Sequence, residues 1–141
     1  MEFKSINQLK SLIDENKISV KEIAETYIKK IKEKKDLNIF IYFDEDKIND
    51  QVKEIEQLPN NKKLKGIPIA VKDLFCTKNM PTTAASKILE NFNPTYESFV
   101  TQKLINEGSL FIGKTNLDEF AMGSATNTSY FGNTINPLSN Q

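Results

Sequence analysis

The chain changes character at Gly66, and that change limits the folds open to it. Before Gly66 the apolar residues recur at helical spacing. After it they gather into two short runs, residues 66–71 (GIPIAV) and 110–113 (LFIG), with a helix-length segment between them. Helices followed by strand, helix and strand predict an α/β fold.

The helical part carries its own punctuation. Ser5 with Gln8, and Ser19 with Glu22, have capping-box spacing. Behind the first lie Ile6, Leu9, Leu12 and Ile13, and residues 15–17 interrupt the pattern. Behind the second lie Val20, Ile23, Ala24, Tyr27, Ile28 and Ile31, one stripe of an amphipathic helix, with Lys21, Glu25, Lys29, Lys30 and Lys32 opposite. The two segments predict a helical hairpin with one wet side. Residues 38–43 (NIFIYF) are β-branched and aromatic and predict a strand. Residues 44–57 return to helical spacing, and 58–65 (LPNNKKLK) predict a loop. This gives a helical layer with one strand over 1–65 and an α/β unit from 66 to 141.

In that second part, Pro68 predicts an edge strand or a strand beginning. Residues 96–106 predict a helix with Val100 and Leu104 inward, stopped by Gly108. From Lys114 onward the chain is rich in Thr, Asn, Ser and Gly and predicts a long functional or disordered loop.

Composition excludes several chemistries. The 141 residues hold no His, no Arg, no Trp and a single Cys. No Ser-His-Asp or Cys-His catalysis is available within the chain, and no His-ligated or all-Cys zinc site. One Cys cannot form an internal disulfide, which suits a reducing cytoplasm. Nineteen basic and nineteen acidic residues cancel, so nothing argues electrostatically for nucleic acid or an anionic membrane. The apolar runs are too short to span a bilayer.

Lys72 is the foremost candidate for chemistry. It ends the IPIAV run, where α/β folds place ligands and reacting groups. Partial desolvation there would favour the neutral amine, a base. Moving a lysine from about 10.4 to near 7 takes roughly 4.6 kcal/mol. Alternation along a strand sends Asp73 to the opposite face. The ordinary reading is a strand-end lysine reaching water. Gly113-Lys114-Thr115 has the ending of a phosphate-binding loop, with Gly108 correctly spaced, but residues 109–112 (SLFI) read as strand, and nucleotide binding is rejected. Met122, Gly123 and Ser124 form a further candidate: Gly123 permits close backbone approach and Ser124 offers a donor. A polar surface loop is the equally simple reading. Cys76, with no His to activate it, reads as a small core residue.

Residues 66–73 (GIPIAVKD), 82–92 (TTAASKILENF) and 113–137 (GKTNLDEFAMGSATNTSYFGNTINP) resemble the amidase signature family. Within it they look most like the ammonia-supplying subunits of tRNA-dependent amidotransferases. The resemblance implies an α/β fold with a mixed central sheet flanked by helices, of which this is the N-terminal portion preceded by the helical hairpin. It implies a Ser-cis-Ser-Lys triad with Lys72 as the base, and an acyl site lined by Met122, Gly123 and Ser124. The substrate would be glutamine, and the ammonia would serve to amidate a charged tRNA. No cofactor or metal is implied for this chain; ATP and Mg would act at a partner, the B subunit of such enzymes, with the C subunit bracing the pair. A cytoplasmic enzyme without membrane contact is implied. Both serines belong to a Gly/Ser-rich signature expected beyond Asn136-Pro137 and not found in the 141 residues. The chain alone is therefore expected to be inactive. Its strand edges are expected to be exposed. Another amidase, or a non-catalytic binding module, is the alternative.

Overall fold

A computed structural model describes residue 3 and residues 5–138. The end of the predicted C-terminal loop, residues 139–141, lies outside the described residues. Helix α1 spans Ile6–Asp14 and α2 spans Val20–Glu33. Ser5 accepts from the Gln8 amide at 3.1 Å, which caps α1. At α2 both halves of the capping box form: the Glu22 amide donates to Ser19 Oγ at 3.1 Å, and the Ser19 amide donates to Glu22 Oε2 at 2.8 Å.

Strand β1 is Phe40–Tyr42, α3 is Glu45–Glu56, β2 is Pro68–Lys72, α4 is Phe99–Asn106 and β3 is Leu110–Thr115. The sheet has the order β1-β3-β2. β1 is antiparallel to β3, and β2 is parallel to it with Val71 opposite Lys114 and Lys72 opposite Thr115. The fold is therefore α/β with a small mixed sheet, and Pro68 opens a strand at its edge, where a missing amide donor does no harm.

The α2 stripe divides between two clusters. Val20, Ala24 and Ile28 meet Ile48, Val52 and Ile55 of α3 and Leu110 and Ile112 of β3. Ile23 instead joins Leu9, Ile18 and Ile67. Gly113, at φ +150°, lets β1 close onto β3: a Cβ there would stand 2.7 Å from Phe40 Cδ1 and 2.8 Å from Tyr42 O.

Three expectations are corrected. The first strand is half as long as NIFIYF suggests. Asn38 takes a left-handed conformation, φ 52°, that ends a 3₁₀ turn at Lys35–Leu37 and excludes it from the strand. Where β1 fails to cover β3, the Gln51 side chain of α3 stands in, exchanging 3.0 Å hydrogen bonds with both the N–H and C=O of Phe111. The helix expected over 96–106 begins only at Phe99, because Ser98 is its cap and accepts from the Thr101 amide at 3.3 Å. That cap sets the phase. Thr101 is buried and donates to Glu97 at 2.7 Å, whereas Val100 faces out. The long loop starts at Asn116, since β3 continues through Lys114 and Thr115.

Candidate functional site

The site grows from the end of β2. Pleating turns Val71 and Asp73 inward and Lys72 outward, which corrects the expected desolvation of Lys72: Lys72 is exposed, Asp73 fully buried. No described residue lies within hydrogen-bond or ion-pair distance of the Lys72 ammonium. Its backbone is fixed on both sides. It pairs with Thr115, its carbonyl accepts from the Phe75 amide at 3.0 Å, and the next amide, of Asp73, donates to Thr115 O at 3.1 Å.

The desolvated lysine is Lys114, one position along the neighbouring strand. It is fully buried among polar groups. Its ammonium donates to Thr82 Oγ1 (2.7 Å), Thr77 Oγ1 (2.8 Å), Phe75 O (3.0 Å) and Pro81 O (3.1 Å). Asp73 Oδ1 lies 3.2 Å away, off the hydrogen-bonding direction, so the contact is electrostatic. Burial pushes the Lys114 ammonium below the ordinary lysine range, and the Asp73 carboxylate pulls it back. The other oxygen, Asp73 Oδ2, accepts from the amide and the hydroxyl of Thr83 at 2.9 and 2.5 Å. The rejection of a phosphate loop agrees with this placement, since Lys114 is a strand residue turned into the interior.

A second carboxylate organises the loop that carries residues 122–124. Asp118 Oδ2 accepts from the amides of Ala125 and Thr126, both at 2.9 Å. Oδ1 accepts from the amide (3.2 Å) and hydroxyl (3.0 Å) of Thr128. The Thr126 amide first, and then the groups of Thr128 and Ala125, hold the Asp118 carboxyl down to about 2, against the opposing effect of burial. Gly123 is needed here: a Cβ would sit 2.5 Å from Asp118 Cγ. Its close approach is to that carboxylate. Met122 and Ser124 face solvent. Asn116 and Asn38 close the base of the loop, with Asn116 Nδ2 donating to Gly132 O at 2.9 Å and Asn38 Nδ2 to Phe131 O at 2.9 Å.

The segments that carry Lys72 and residues 122–124 are thus linked by backbone hydrogen bonds. The Ala84 amide donates to Asp73 O, and the Phe120 amide donates to Ala84 O, both at 2.9 Å. At this crossing Ala84 and Ala85 stand at φ 51° and 55°, and Phe120 and Ala121 at 53° and 59°. Non-glycine residues held there cost of order 1–3 kcal/mol each, and such strain gathers at functional sites. Cys76 is half-buried with its thiol 3.4 Å from the Tyr96 hydroxyl. Among the described residues no three His, Cys, Asp or Glu side chains are placed to hold a metal ion, and no helix is long and apolar enough to cross a membrane.

The set formed by Lys114, Asp73 and Asp118 does not emerge from the sequence alone. The available signal is a charge inside the buried run LFIGKT, which obliges a partner.

The family model for amidases matches residues 22–141. The chain belongs to the amidase family. This amidase-family chain is 48% identical, over 95% of its length, to the A subunit of glutamyl-tRNA(Gln) amidotransferase from Pelagibacter ubique, and spans 28% of that protein. Its fold superposes on the crystal structure of the Thermotoga maritima glutamyl-tRNA(Gln) amidotransferase A subunit with a TM-score of 0.65 at 34% identity, covering 86% of this chain and 28% of that one. The crystal structure of another amidase gives a TM-score of 0.84 at 25% identity, covering 96% of this chain and 32% of that one. The chain is therefore similar to the N-terminal part of the A subunit, and it carries the amidase fold's first strands and helices.

Proposed function

We propose that this chain is the N-terminal part of the glutamine-hydrolysing subunit of a tRNA-dependent amidotransferase. The observation that carries the reading is the 48% identity over 95% of the chain to an A subunit of that kind, well above the 25% identity to the general amidase. The chain's own share of the chemistry is a base and part of a substrate wall. Lys72 accepts a proton from a bridging serine hydroxyl, which takes one from the nucleophilic serine; both serines belong to the longer protein. The nucleophile adds to the side-chain amide carbon of glutamine, the C–N bond breaks, and ammonia leaves with the returned proton. Water then releases glutamate from the ester. Met122, Gly123 and Ser124 border the acyl site.

Ammonia passes to the partner B subunit, which uses ATP and Mg to activate the glutamyl end of a charged tRNA. The C subunit braces the assembly, in the cytoplasm. Lys72 is exposed in this segment, so the desolvation that a base needs would have to come from groups of the longer protein.

The test is Lys72→Ala in the assembled enzyme. Glutamine hydrolysis should fall by at least about 10³-fold. Retention of hydrolysis within tenfold of the parent overturns the assignment of the base.

A further inference from the structure

We infer that Lys114, with Asp73, is a positioning residue for Lys72: the buried pair fixes the turn on which the base is carried, and its own atoms never meet substrate. The inference rests on the reading of Lys72 as the base.

The geometry points one way. Residues 73–83 leave the end of β2 and fold back over β3. Four of them, Phe75, Thr77, Pro81 and Thr82, present oxygens to one ammonium within 3.1 Å. A lysine has three protons, so these four oxygens and the Asp73 carboxylate share a single saturated donor. Lys114 has no capacity left for a ligand, and it is fully buried. Its strand position is opposite Val71, so it grips the turn from directly beside Lys72. Asp73 pulls from the other end, holding Thr83 through amide and hydroxyl. The result is a turn that begins directly after the base and has four of its oxygens converging on one charge.

The same turn is where backbone freedom must be suppressed. Ala84 and Ala85 are held at positive φ immediately after Thr83. Without the pair, the strained backbone at 84–85 relaxes, and the Asp73 carbonyl that receives the Ala84 amide moves with it. A displacement of the base by about 1 Å can cost about 10²-fold in rate. Residues 122–124 meet the turn through the Phe120 amide on Ala84 O, but have anchors of their own in Asp118, Asn116 and Asn38. Loosening the turn should therefore lower kcat and leave KM for glutamine nearly unchanged. A purely structural pair would change the amount of folded enzyme and neither constant.

The experiment uses the assembled amidotransferase with its full-length subunit carrying these residues. Lys114→Met leaves Asp73 buried and unpaired and is expected to impair folding. The informative variant is the charge-free double substitution Lys114→Met with Asp73→Asn. Exchanging a buried ion pair for neutral groups of similar volume is often tolerated. The double variant should fold and assemble, with kcat per folded enzyme down about 10- to 100-fold and KM within about twofold. Thr77→Val and Thr82→Val each remove one oxygen of the shell and serve where the double variant does not fold; each should lower kcat about 3- to 10-fold at constant KM. Parental kcat in the folded double variant or in both Thr variants overturns the inference, as does a rise in KM equal to the fall in kcat. Lys72→Ala run alongside keeps the two claims apart. Activity surviving that change condemns the base assignment, whereas an inactive Lys72→Ala with a fully active double variant condemns only the role of the pair.

Discussion

Two halves of the molecule are held together by different forces. Residues 5–58 are aliphatic at heart: α1, α2 and α3 bury Leu9, Val20, Ile23, Ile28, Ile48 and Val52, and their charges lie outside. Residues 72–135 are mostly loop, and outside the apolar run of β3 their interior is largely polar. Asp73, Thr77, Thr82, Thr83, Ser86, Lys114 and Asp118 are all buried there. The first half loses stability in increments, because dispersion and burial are sums of many small contacts. The second depends on two carboxylates and one ammonium, so single changes leave whole sets of groups unpaired.

The largest effect that could break this contrast is at Lys114. Lys114→Met strands the Asp73 carboxylate at 1% side-chain exposure and should cost about 3–5 kcal/mol in urea unfolding, with most of it restored by adding Asp73→Asn. A loss under about 1 kcal/mol in the single variant would mean that the polar half does not depend on its ion pair. In the aliphatic half the comparable test is Ile23→Ala, a fully buried side chain between α1 and Ile67. About 3 kcal/mol should be lost in the same measurement. The loss should not be mended by any single second-site change, because no partner has been left charged.

The halves also differ in how legible they are in the sequence. The stripe from Val20 to Ile31 and the Ser19–Glu22 box determine α2 nearly to the residue, because a helix is built from neighbours four apart. β2 and β3 are visible as apolar runs. What escapes is long-range. Val100 looks inward by spacing, yet the Ser98 cap and the bond from Thr101 to Glu97 rotate Thr101 in instead. Lys114 and Asp73 lie 41 positions apart, and neither position alone says which charge it meets. Lys72 is a candidate from its place at a strand end, and residues 122–124 are candidates from Gly123 and its polar neighbours. That Gly123 yields space to Asp118 follows only from the folded loop.

The Asp118 loop offers a milder comparison. Gly123→Ala drives a methyl into the carboxylate and should destabilise by about 1–3 kcal/mol. It should also raise amide hydrogen exchange at Ala125, Thr126 and Thr128 while leaving α2 protected. The loop has its own pH signature. The folded carboxyl titrates near 2 and the free one near 3.8, so the stabilisation is complete above about pH 4 and disappears as pH falls towards 2. Exchange at those three amides should accelerate across that window, and Asp118→Asn should flatten the dependence. An unchanged profile in Asp118→Asn would place the acid sensitivity elsewhere.

The smallest effect is the sharpest as a comparison, because it sets the same residue type in each half. Ser19 and Ser86 are both helix caps: Ser19 Oγ accepts from Glu22 at 3.1 Å, and Ser86 Oγ from Ile88 at 3.3 Å. Ser19 is exposed, so water can replace the hydroxyl, and Ser19→Ala should cost about 1 kcal/mol. Ser86 is fully buried and also donates to Glu119 at 2.6 Å, which links the 82–92 segment to the Asp118 loop. Ser86→Ala leaves the Ile88 amide and the Glu119 carboxylate without that partner, and a stranded polar group costs about 1–3 kcal/mol. The serine in the polar half should therefore cost about twice as much, read as the difference between the two midpoints in urea. Equal losses would mean that water reaches Ser86, and that the interior around Thr83 and Glu119 is wetter than its hydrogen bonds require.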